Sequence, residues 1–434
     1  MAWLYRVTFY LPKRNKSSWI KLLAIILIVG LNFYPELTGI GKYTAEMALF
    51  LQQKGHEVHV ITAPPYYPYW KIQPGYQAFR YRTELWNGIQ IHRCPLWVPR
   101  KVTGLNRLFH LLSFALSSLP VVLKERSKHP DFVFSVAPAL FSAPLSAFPG
   151  RNQKKKNWLH IQDFEVDAAL NLGILSRIPI VERLAHLWEI KVFQKFGTIS
   201  TISGSMINNL KNRQIEEDSI YYFPNWIDPN AIFPLIGKNH FRQTLGLTPA
   251  DIVVLYSGSI GQKQGIETLV EVAGILAKHR QIHIVICGEG PAKSELLKLG
   301  QGFENLHFLP IQPHDSLNEL LNMADIHVLP QKSGAADLVM PSKLLGMLAS
   351  GRPVIVSCPI KSELYEIVSQ VGITVPPEEP ILLAREISKL AFDETSRNKY
   401  GALGRSLVSE RYSMEKILGK FEEKLMKLKS SKIP

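Results

Sequence analysis

The amino-acid sequence predicts an α/β protein with two doubly wound, Rossmann-like parallel sheets. Short apolar runs typical of buried strands alternate with amphipathic helical patterns along most of the 434 residues, as in parallel sheets covered by helices. A chain of this length has room for about two domains. The predicted strands are Leu23–Val29, Val58–Thr62, Phe132–Val136, Asn157–Ile161, Ile199–Ile202, Ile252–Ser257, His283–Cys287, Ile326–Leu329 and Val354–Ser357. The clearest helical patterns are Gly41–Lys54, Ile180–Lys195, Gly265–His279 and Asp315–Met323.

A break in this alternation marks the domain boundary. Residues 223–235, FPNWIDPNAIFPL, contain three prolines and no helical or strand period. We therefore expect an N-terminal domain over residues 21–224 and a second over residues 225–410, facing each other across a cleft that would hold a nucleotide-bearing substrate. Residues 411–434 carry an amphipathic, Lys-rich pattern, and we expect this helix to cross back to the N-terminal domain. Residues 1–20 are expected to be an extension, either disordered or an over-long start.

The first predicted strand lies in the most apolar run of the chain, residues 19–34 (WIKLLAIILIVGLNFY). This run lacks the roughly 20 apolar residues of a membrane span. Basic residues precede it, as in a signal peptide, but no small-residue cleavage site follows. Its Ile-Ile-Leu-Ile-Val centre is typical of a buried parallel strand that ends at a turn.

Composition and charge narrow the classes of partner. Cys94, Cys287 and Cys358 are too far apart in sequence for a disulfide framework or a metal site and indicate a reducing compartment. Residues 1–130 carry 17 Lys and Arg against 5 Asp and Glu, a net charge of +12 out of +14 for the whole chain. Such a basic half suggests an anionic binding partner: a membrane surface, nucleic acid or a phosphorylated substrate. The alternative is a basic face that merely keeps the protein soluble. The apolar segment at residues 106–124 has basic flanks; it could lie in an anionic membrane interface or be a core helix.

In the N-terminal half, two strand ends carry polar or glycine-rich residues. Gly39 and Gly41 stand between the first strand and a helix, where they permit close backbone approach to an anion at the helix N-terminus. Neither a P-loop nor a dinucleotide fingerprint is present. His160 and Asp163 lie at the end of another strand beside two further carboxylates, and this crowding of titratable groups favours shifted pKa values. His160 could then act in proton transfer or donate a hydrogen bond to a reacting sugar. The alternative for this segment is an ordinary helix cap.

Three glycine- or small-residue-rich loops follow strands of the C-terminal half, and together they predict a nucleoside diphosphate site. The first, 256–265 (YSGSIGQKQG), contains Ser259 and the cation Lys263. The second is Gly288-Glu289-Gly290. The third leads into Pro341-Ser342-Lys343, where proline suits the first turn of a short helix whose free N–H groups favour a phosphate. That helix buries Leu344, Met347 and Leu348 and ends before Gly351.

The chain from about Leu23 onward resembles the family 4 retaining glycosyltransferases with the GT-B fold, closest to the branch typified by the colanic acid exopolysaccharide enzyme of enterobacteria. The matching stretches are NFYPELTGIGKYTAEMA, VITAPPYYPYW, LHIQDFEVDAAL, STISGSM, FPNWID, YSGSIGQKQGIE and QKSGAADLVMPSKL. They occur in the order and at the spacing of the family. The resemblance implies a nucleotide-sugar donor on the C-terminal domain, an acceptor on the N-terminal domain, and front-face transfer with retention and without a metal or other cofactor.

The resemblance also assigns roles to residues. It implies that Lys263 and the backbone of Ser342 and Lys343 contact the donor diphosphate and that Gly39 approaches the phosphate or the transferred sugar. His160 would lie beside the sugar, and Glu289 near the base and ribose. The catalytic candidates are thus His160, Asp163 and Lys263. The candidates for donor binding are Gly39, Gly41, Ser259, Gly288, Glu289, Gly290, Pro341, Ser342 and Lys343.

The chain departs from the family pattern at three positions. Many members have two glutamates where this chain has Leu338 and Gly346, and an arginine where it has Ser259. Because of these differences, the ribose-binding and diphosphate-binding roles of the family residues are less securely assigned to this chain.

We expect an enzyme on the cytoplasmic face of the plasma membrane that passes a sugar to a polyprenyl-diphosphate-linked or oligosaccharide acceptor in exopolysaccharide biosynthesis. An anionic membrane surface is an expected partner and nucleic acid is not. Two alternatives are open: a nucleotide-sugar 2-epimerase of the same fold, and a catalytically silent scaffold subunit.

Overall fold

The computed structural model describes residues 23–36, 39–101, 103–137, 141–149, 151–167, 179–261, 264–333 and 342–430. The expected extension at residues 1–20 lies outside these ranges, as do the site candidates Lys263 and Pro341. All nine predicted strands are confirmed within one or two residues, and five further strands are present among the described residues. The strands are β1 (Ile25–Gly30), β2 (Glu57–Thr62), β3 (Arg82–Trp86), β4 (Ile89–Arg93), β5 (Phe132–Ala137), β6 (Asn157–Ile161), β7 (Thr198–Thr201), β8 (Ile220–Tyr222), β9 (Ile252–Ser257), β10 (Ile282–Cys287), β11 (Leu306–Leu309), β12 (Ile326–Leu329), β13 (Val354–Ser357) and β14 (Ile373–Val375).

The helices alternate with these strands, and the four clearest helical patterns of the sequence are confirmed as α1, α4, α7 and α9. The helices are α1 (Gly39–Gln53), α2 (Gly104–Arg126), α3 (Ala143–Ser146), α4 (Pro179–Phe193), α5 (Gly204–Asn212), α6 (His240–Thr244), α7 (Glu267–Leu276), α8 (Lys293–Leu299), α9 (Leu317–Asn322), α10 (Ser342–Ala349), α11 (Glu363–Val368), α12 (Pro380–Ala391), α13 (Glu394–Leu407) and α14 (Met414–Ser430).

The strands form two sheets. The N-terminal sheet has the order β3-β4-β2-β1-β5-β6-β7-β8, and the C-terminal sheet has the order β11-β10-β9-β12-β13-β14. Every neighbouring pair is parallel except β3 and β4. This antiparallel hairpin is not among the predicted strands. Its turn is Asn87-Gly88, with φ of 47° and 81°, the backbone that a tight two-residue hairpin requires.

Helices cover both faces of each sheet. In the N-terminal domain, Met47 of α1 and Phe421 of α14 pack on the face that carries Ile26 of β1. Phe114 and Val122 of α2 pack on the opposite face. In the C-terminal domain α10 is a core helix: Leu344, Met347 and Leu348 are fully buried, as the sequence pattern predicts. Gly351 follows this helix with φ of +70°.

Two segments join the domains, and they are hydrogen-bonded to each other. Ile227, in the Pro-rich connection, donates its N–H to the carbonyl of Tyr412 at 3.0 Å, and Met414 donates its N–H to the carbonyl of Ile227 at 2.8 Å. After this crossing α14 lies on the N-terminal domain, where the ammonium of Lys429 is 2.7 Å from the carboxylate of Asp131.

Candidate functional site

The strand order of the C-terminal sheet reverses between β9 and β12. In open parallel sheets, ligands bind outside the carboxyl ends of the strands at such a switch point. Two of the predicted loops begin there, because Gly258 follows β9 while β12 leads through residues 330–333 toward Ser342 at the start of α10. The sheet topology therefore selects the same region that the glycine pattern indicates.

Lys343 places a half-buried, desolvated ammonium at this switch point. Its Nζ lies 2.8 Å from the hydroxyl oxygen of Tyr256 and 4.5 Å from the centre of that aromatic ring. It also lies 2.8 Å from where a β-carbon on Gly258 would stand. Burial lowers the pKa of the Lys343 ammonium to about 8, and no carboxylate among the described residues forms an ion pair with it. A desolvated cation in this position is suited to an anionic ligand.

Close packing between two neighbouring loops explains why they contain glycine. A β-carbon on Gly288 would lie 1.9 Å from the carbonyl oxygen of Gly258, and one on Gly290 would lie 2.1 Å from the carbonyl oxygen of Ile260. The loops are also hydrogen-bonded, since Gly258 donates its N–H to Cys287 at 2.9 Å and Ile260 donates its N–H to Glu289 at 2.9 Å. Backbone contact between the loops thus explains glycine here, and their contact with a donor stays a prediction.

Three other predicted donor residues are exposed around these loops. The carbonyl of Ser259 accepts a hydrogen bond from Tyr256 at 2.7 Å. The side chain of Glu289 is half exposed and pairs with Lys293 at 2.6 Å. Ser342 is exposed at the first turn of α10 and hydrogen-bonded to the Tyr43 side chain of α1. This last contact brings the N-terminal domain to the edge of the switch point.

On the N-terminal side, Gly39 and Gly41 begin α1 next to a buried carboxylate. Gly39 has φ of +57°, and a β-carbon on Gly41 would lie 3.0 Å from that of Glu36. Glu36 accepts hydrogen bonds from the backbone N–H groups of Tyr66 at 2.8 Å and Tyr67 at 2.9 Å. Burial outweighs these bonds and raises the pKa of the Glu36 carboxyl. The loops after β1 and β2 are therefore held together by Glu36, a residue that is not among the predicted site residues.

His160 is buried near the carboxyl end of β6, with both ring nitrogens engaged. Nδ1 is 2.9 Å from the hydroxyl oxygen of Ser200, and Nε2 is 3.1 Å from the side-chain nitrogen of Gln162. Burial lowers the pKa of His160 to about 3. The ring is therefore neutral at physiological pH, which favours a hydrogen-bonding role over proton transfer. Asp163 is half-buried in the turn that follows, and the catalytic role of both residues stays a prediction.

Helix α2 presents an apolar surface on the N-terminal domain. Among the described helices it is the one long and apolar enough to cross a membrane, by length and composition, and a third of its most apolar window is buried. Leu105, Phe109 and Leu116 are 67%, 58% and 69% exposed. Helix α2 therefore packs on the core with one face only, and its other face is apolar and open to solvent. Lys124 and Arg126 supply positive charge in its last turn.

Comparison with known proteins gives matches over both domains. Residues 38–226 match the model of the glycosyl transferase 4-like domain, and residues 237–407 match that of the glycosyl transferases group 1. A putative colanic acid biosynthesis glycosyl transferase, WcaI of Escherichia coli K12, is 37% identical over 406 residues, which cover 91% of this chain and 98% of the relative.

Solved structures share the two-domain architecture. Sucrose-phosphate synthase from Thermosynechococcus elongatus superposes with a TM-score of 0.72 at 17% identity, covering 94% of this chain and all of the other. HepE of Anabaena, solved with UDP and glucose, has a TM-score of 0.65 at 14% identity and covers 92% of this chain and 99% of the other. At these identities the likeness concerns the fold.

Proposed function

This chain belongs to the glycosyltransferases with the GT-B fold, and on that basis we propose that it transfers a sugar with retention from a nucleotide-sugar donor to a lipid-linked or growing saccharide. The product is a cell-surface polysaccharide. This assignment is supported by the name of the 37% identical relative, which refers to colanic acid biosynthesis.

The observation that carries the proposal is the half-buried, desolvated ammonium of Lys343 at the switch point. Transfer leaves a nucleoside diphosphate, and its departure is favoured by positive charge already fixed in place. Lys343 supplies that charge in a desolvated position, and the first backbone N–H groups of α10 add to it. We propose that this protein cation, together with Lys263, serves the leaving group and that no metal takes part.

The acceptor site is proposed for the N-terminal domain, at an anionic membrane surface on the cytoplasmic side. The partly exposed apolar face of α2 and the basic residues at its end support this position, because apolar burial combined with attraction to anionic lipid holds such helices in an interface. The net charge of +12 over residues 1–130 acts in the same direction.

The experiment is isothermal titration of nucleoside diphosphates and a panel of nucleotide sugars, followed by turnover with membrane extracts. Replacing Lys343 by Met should weaken the binding of the diphosphate about 10–100-fold, the usual value of a hydrogen bond to a charged group. Lys389→Met removes an exposed lysine of α12 and should change nothing.

Each other outcome has a definite meaning. Neither binding nor turnover with any donor would refute the enzyme and leave the scaffold hypothesis. Product formation without acceptor would indicate the epimerase. Loss of turnover when Mg²⁺ and Mn²⁺ are omitted from the assay, without treatment of the protein with a chelator, would refute the metal-independent mechanism.

A further inference from the structure

Three buried side chains converge on the face of the N-terminal sheet that α2 covers. His59 of β2, His92 of β4 and Glu125 of α2 each direct a ligand atom to one point, and these atoms lie within 4.8 Å of one another. His59 Nδ1 is 3.0 Å from Oε2 of Glu125, and His92 Nε2 is 3.3 Å from Oε1. The nine-tenths burial of all three excludes an ordinary solvated cluster.

The outer nitrogen of each ring has its own partner. Nε2 of His59 is 2.8 Å from Oε1 of Glu57, and a carboxylate can only accept, so the proton of this ring is on Nε2. Nδ1 of His92 is 3.1 Å from the hydroxyl of Thr83, which can accept a ring proton in the same way. Each imidazole then turns a bare lone pair inward. Histidine ligands of metals are oriented by partners of this kind.

The inward atoms are not joined by hydrogen bonds. Nδ1 of His59, Nε2 of His92 and Oε1 of Glu125 are buried and have no hydrogen bond of acceptable geometry to any described residue. Nε2 of His92 and Oε1 of Glu125 are 3.3 Å apart, close to the roughly 3.3 Å between ligands placed about 2.0 Å from a tetrahedral Zn²⁺ ion. One ligand atom from each of the three residues lies within 4.8 Å of the other two. Lone pairs that face one another at this distance repel unless a proton or a metal ion lies between them, and none of these atoms is placed for a hydrogen bond.

We propose that His59, His92 and Glu125 bind a divalent transition-metal ion, with Zn²⁺ preferred by two imidazoles and a carboxylate. Water would complete the tetrahedron. Lys128 lies 2.8 Å from Oε2 of Glu125 and is 42% exposed, so it can hold that oxygen from the solvent side while Oε1 binds the metal. Glu125 is the next-to-last residue of α2, and the ion would fasten this end of the helix to β2 and β4.

This site is separate from the proposed sugar transfer. Helix α2 leads into β5, so Glu125 lies near the amino end of that strand, and His59 lies in the middle of β2. None of the three side chains is among the donor candidates, which follow the carboxyl ends of the strands. The proposed metal is therefore structural, and its test is independent of the proposed function.

The test uses the full-length chain without a histidine tag. The protein is stripped with a chelator, dialysed against low Zn²⁺ and measured for bound metal, and Co²⁺ is added to the stripped protein to record visible d–d bands. We expect one equivalent of Zn²⁺, the intense bands of four-coordinate Co²⁺, and a Zn²⁺-dependent rise in the melting temperature.

Variants locate the ion. His92→Gln should abolish the stoichiometric binding. Glu57→Gln alters the hydrogen-bond partner of His59, and the Glu57 side chain is exposed. This variant should therefore fold normally and bind Zn²⁺ about 10–100-fold more weakly. His56→Gln is the matched control, since His56 is equally buried beside a single carboxylate, Glu422, at 3.4 Å, and should leave binding unchanged.

The proposal is overturned if the wild-type chain retains no Zn²⁺ and gives no four-coordinate Co²⁺ spectrum. It is also overturned if His92→Gln binds as tightly as the wild type. Equal affinities in Glu57→Gln and wild type would contradict the assigned His59 tautomer and with it the ligand set.

Discussion

The carboxylate of Glu363 accepts a hydrogen bond from the backbone N–H of Gly204 at 2.9 Å, although the two residues belong to different domains. Its second oxygen accepts from Ser205 at 3.1 Å. The Ser203 side chain takes the next N–H, that of Met206. Helix α5 of the N-terminal domain is thus capped in part by the C-terminal domain, and this cap is a direct contact between the two domains.

Replacing Glu363 by Ala should loosen the domains. Charge-assisted bonds at a helix N-terminus contribute about 1–2 kcal/mol, enough to shift a closed arrangement toward open forms. Small-angle X-ray scattering should report a larger radius of gyration for the unliganded protein. Glu366→Ala, in the same helix but exposed, is the control, and an unchanged radius in Glu363→Ala would show that the cap does not restrain the domains.

The affinity for a nucleoside diphosphate should depend on pH through Lys343. Its pKa of about 8 lies below the value for a free lysine, and an anion favours the protonated form. Affinity should therefore be constant below pH 8 and fall by up to tenfold per pH unit above it. Calorimetry at pH 9 in buffers of different ionisation enthalpy should detect uptake of nearly one proton. Lys343→Met should show neither effect; a flat profile in the wild type would place the anion elsewhere.

Gly288→Ala should be severely destabilising. Its β-carbon would overlap the carbonyl oxygen of Gly258, 1.9 Å away, and backbone on both sides cannot yield. We expect a loss of more than about 3 kcal/mol in the free energy of unfolding, measured with urea. Gly419→Ala, in α14 with open space around it, should instead gain up to about 1 kcal/mol. A mild effect at Gly288 would mean that the two loops can separate.

The His160 ring should remain neutral throughout the physiological range. Its folded pKa of about 3 lies below the ordinary 6.5, so protonation favours the unfolded chain. The contribution of His160 to stability is then complete above pH 6.5 and is lost as the pH falls from 6.5 toward 3. NMR of the ring protons, assigned by their loss in His160→Gln, should show no titration between pH 5 and 8. A midpoint near 6 would restore proton transfer as its role.

Gly346→Ala should stabilise the C-terminal domain. Gly346 lies inside α10, and the nearest atom to an added β-carbon is in Leu321 at 3.4 Å, an ordinary contact. Alanine in place of a helical glycine contributes about 0.5–1 kcal/mol, measurable by urea denaturation. Donor binding should be unchanged, because the anion is assigned to Lys343. Loss of donor binding would instead show that the ligand needs the space that glycine leaves.

Much of this fold could be predicted from the sequence, because buried parallel strands read as continuous apolar runs. The order of motifs likewise indicated the family that the 37% identical relative confirms. The missed strands β8, β11 and β14 lie at the edges of the two sheets and are only partly buried, so their sequences are not continuous apolar runs. The β3–β4 hairpin has a recognisable turn signal in Asn87-Gly88, but its strands are not continuous apolar runs.

The site was less predictable, because its contacts join distant parts of the chain. Lys343 was a candidate for its motif, but its partner Tyr256 is 87 positions away, and Glu363 lies 159 positions from Gly204. Burial of His160 against Ser200 likewise depends on how β6 and β7 pair. The glycines at 288 and 290 look alike whether they approach a phosphate or another loop.

The hydrogen-bonded crossing at Ile227 and Tyr412 makes the second domain an insertion in the first. Its entrance and exit adjoin, so residues 228–412 form a cassette whose covalent connections to the first domain lie at one place. Exchange of this cassette for that of another glycosyltransferase requires a single matched pair of junctions and leaves α2 and α14 untouched. Under the proposed assignment of donor and acceptor to separate domains, such a chimaera would have the donor specificity of one parent. It would keep the acceptor specificity and the membrane binding of the other.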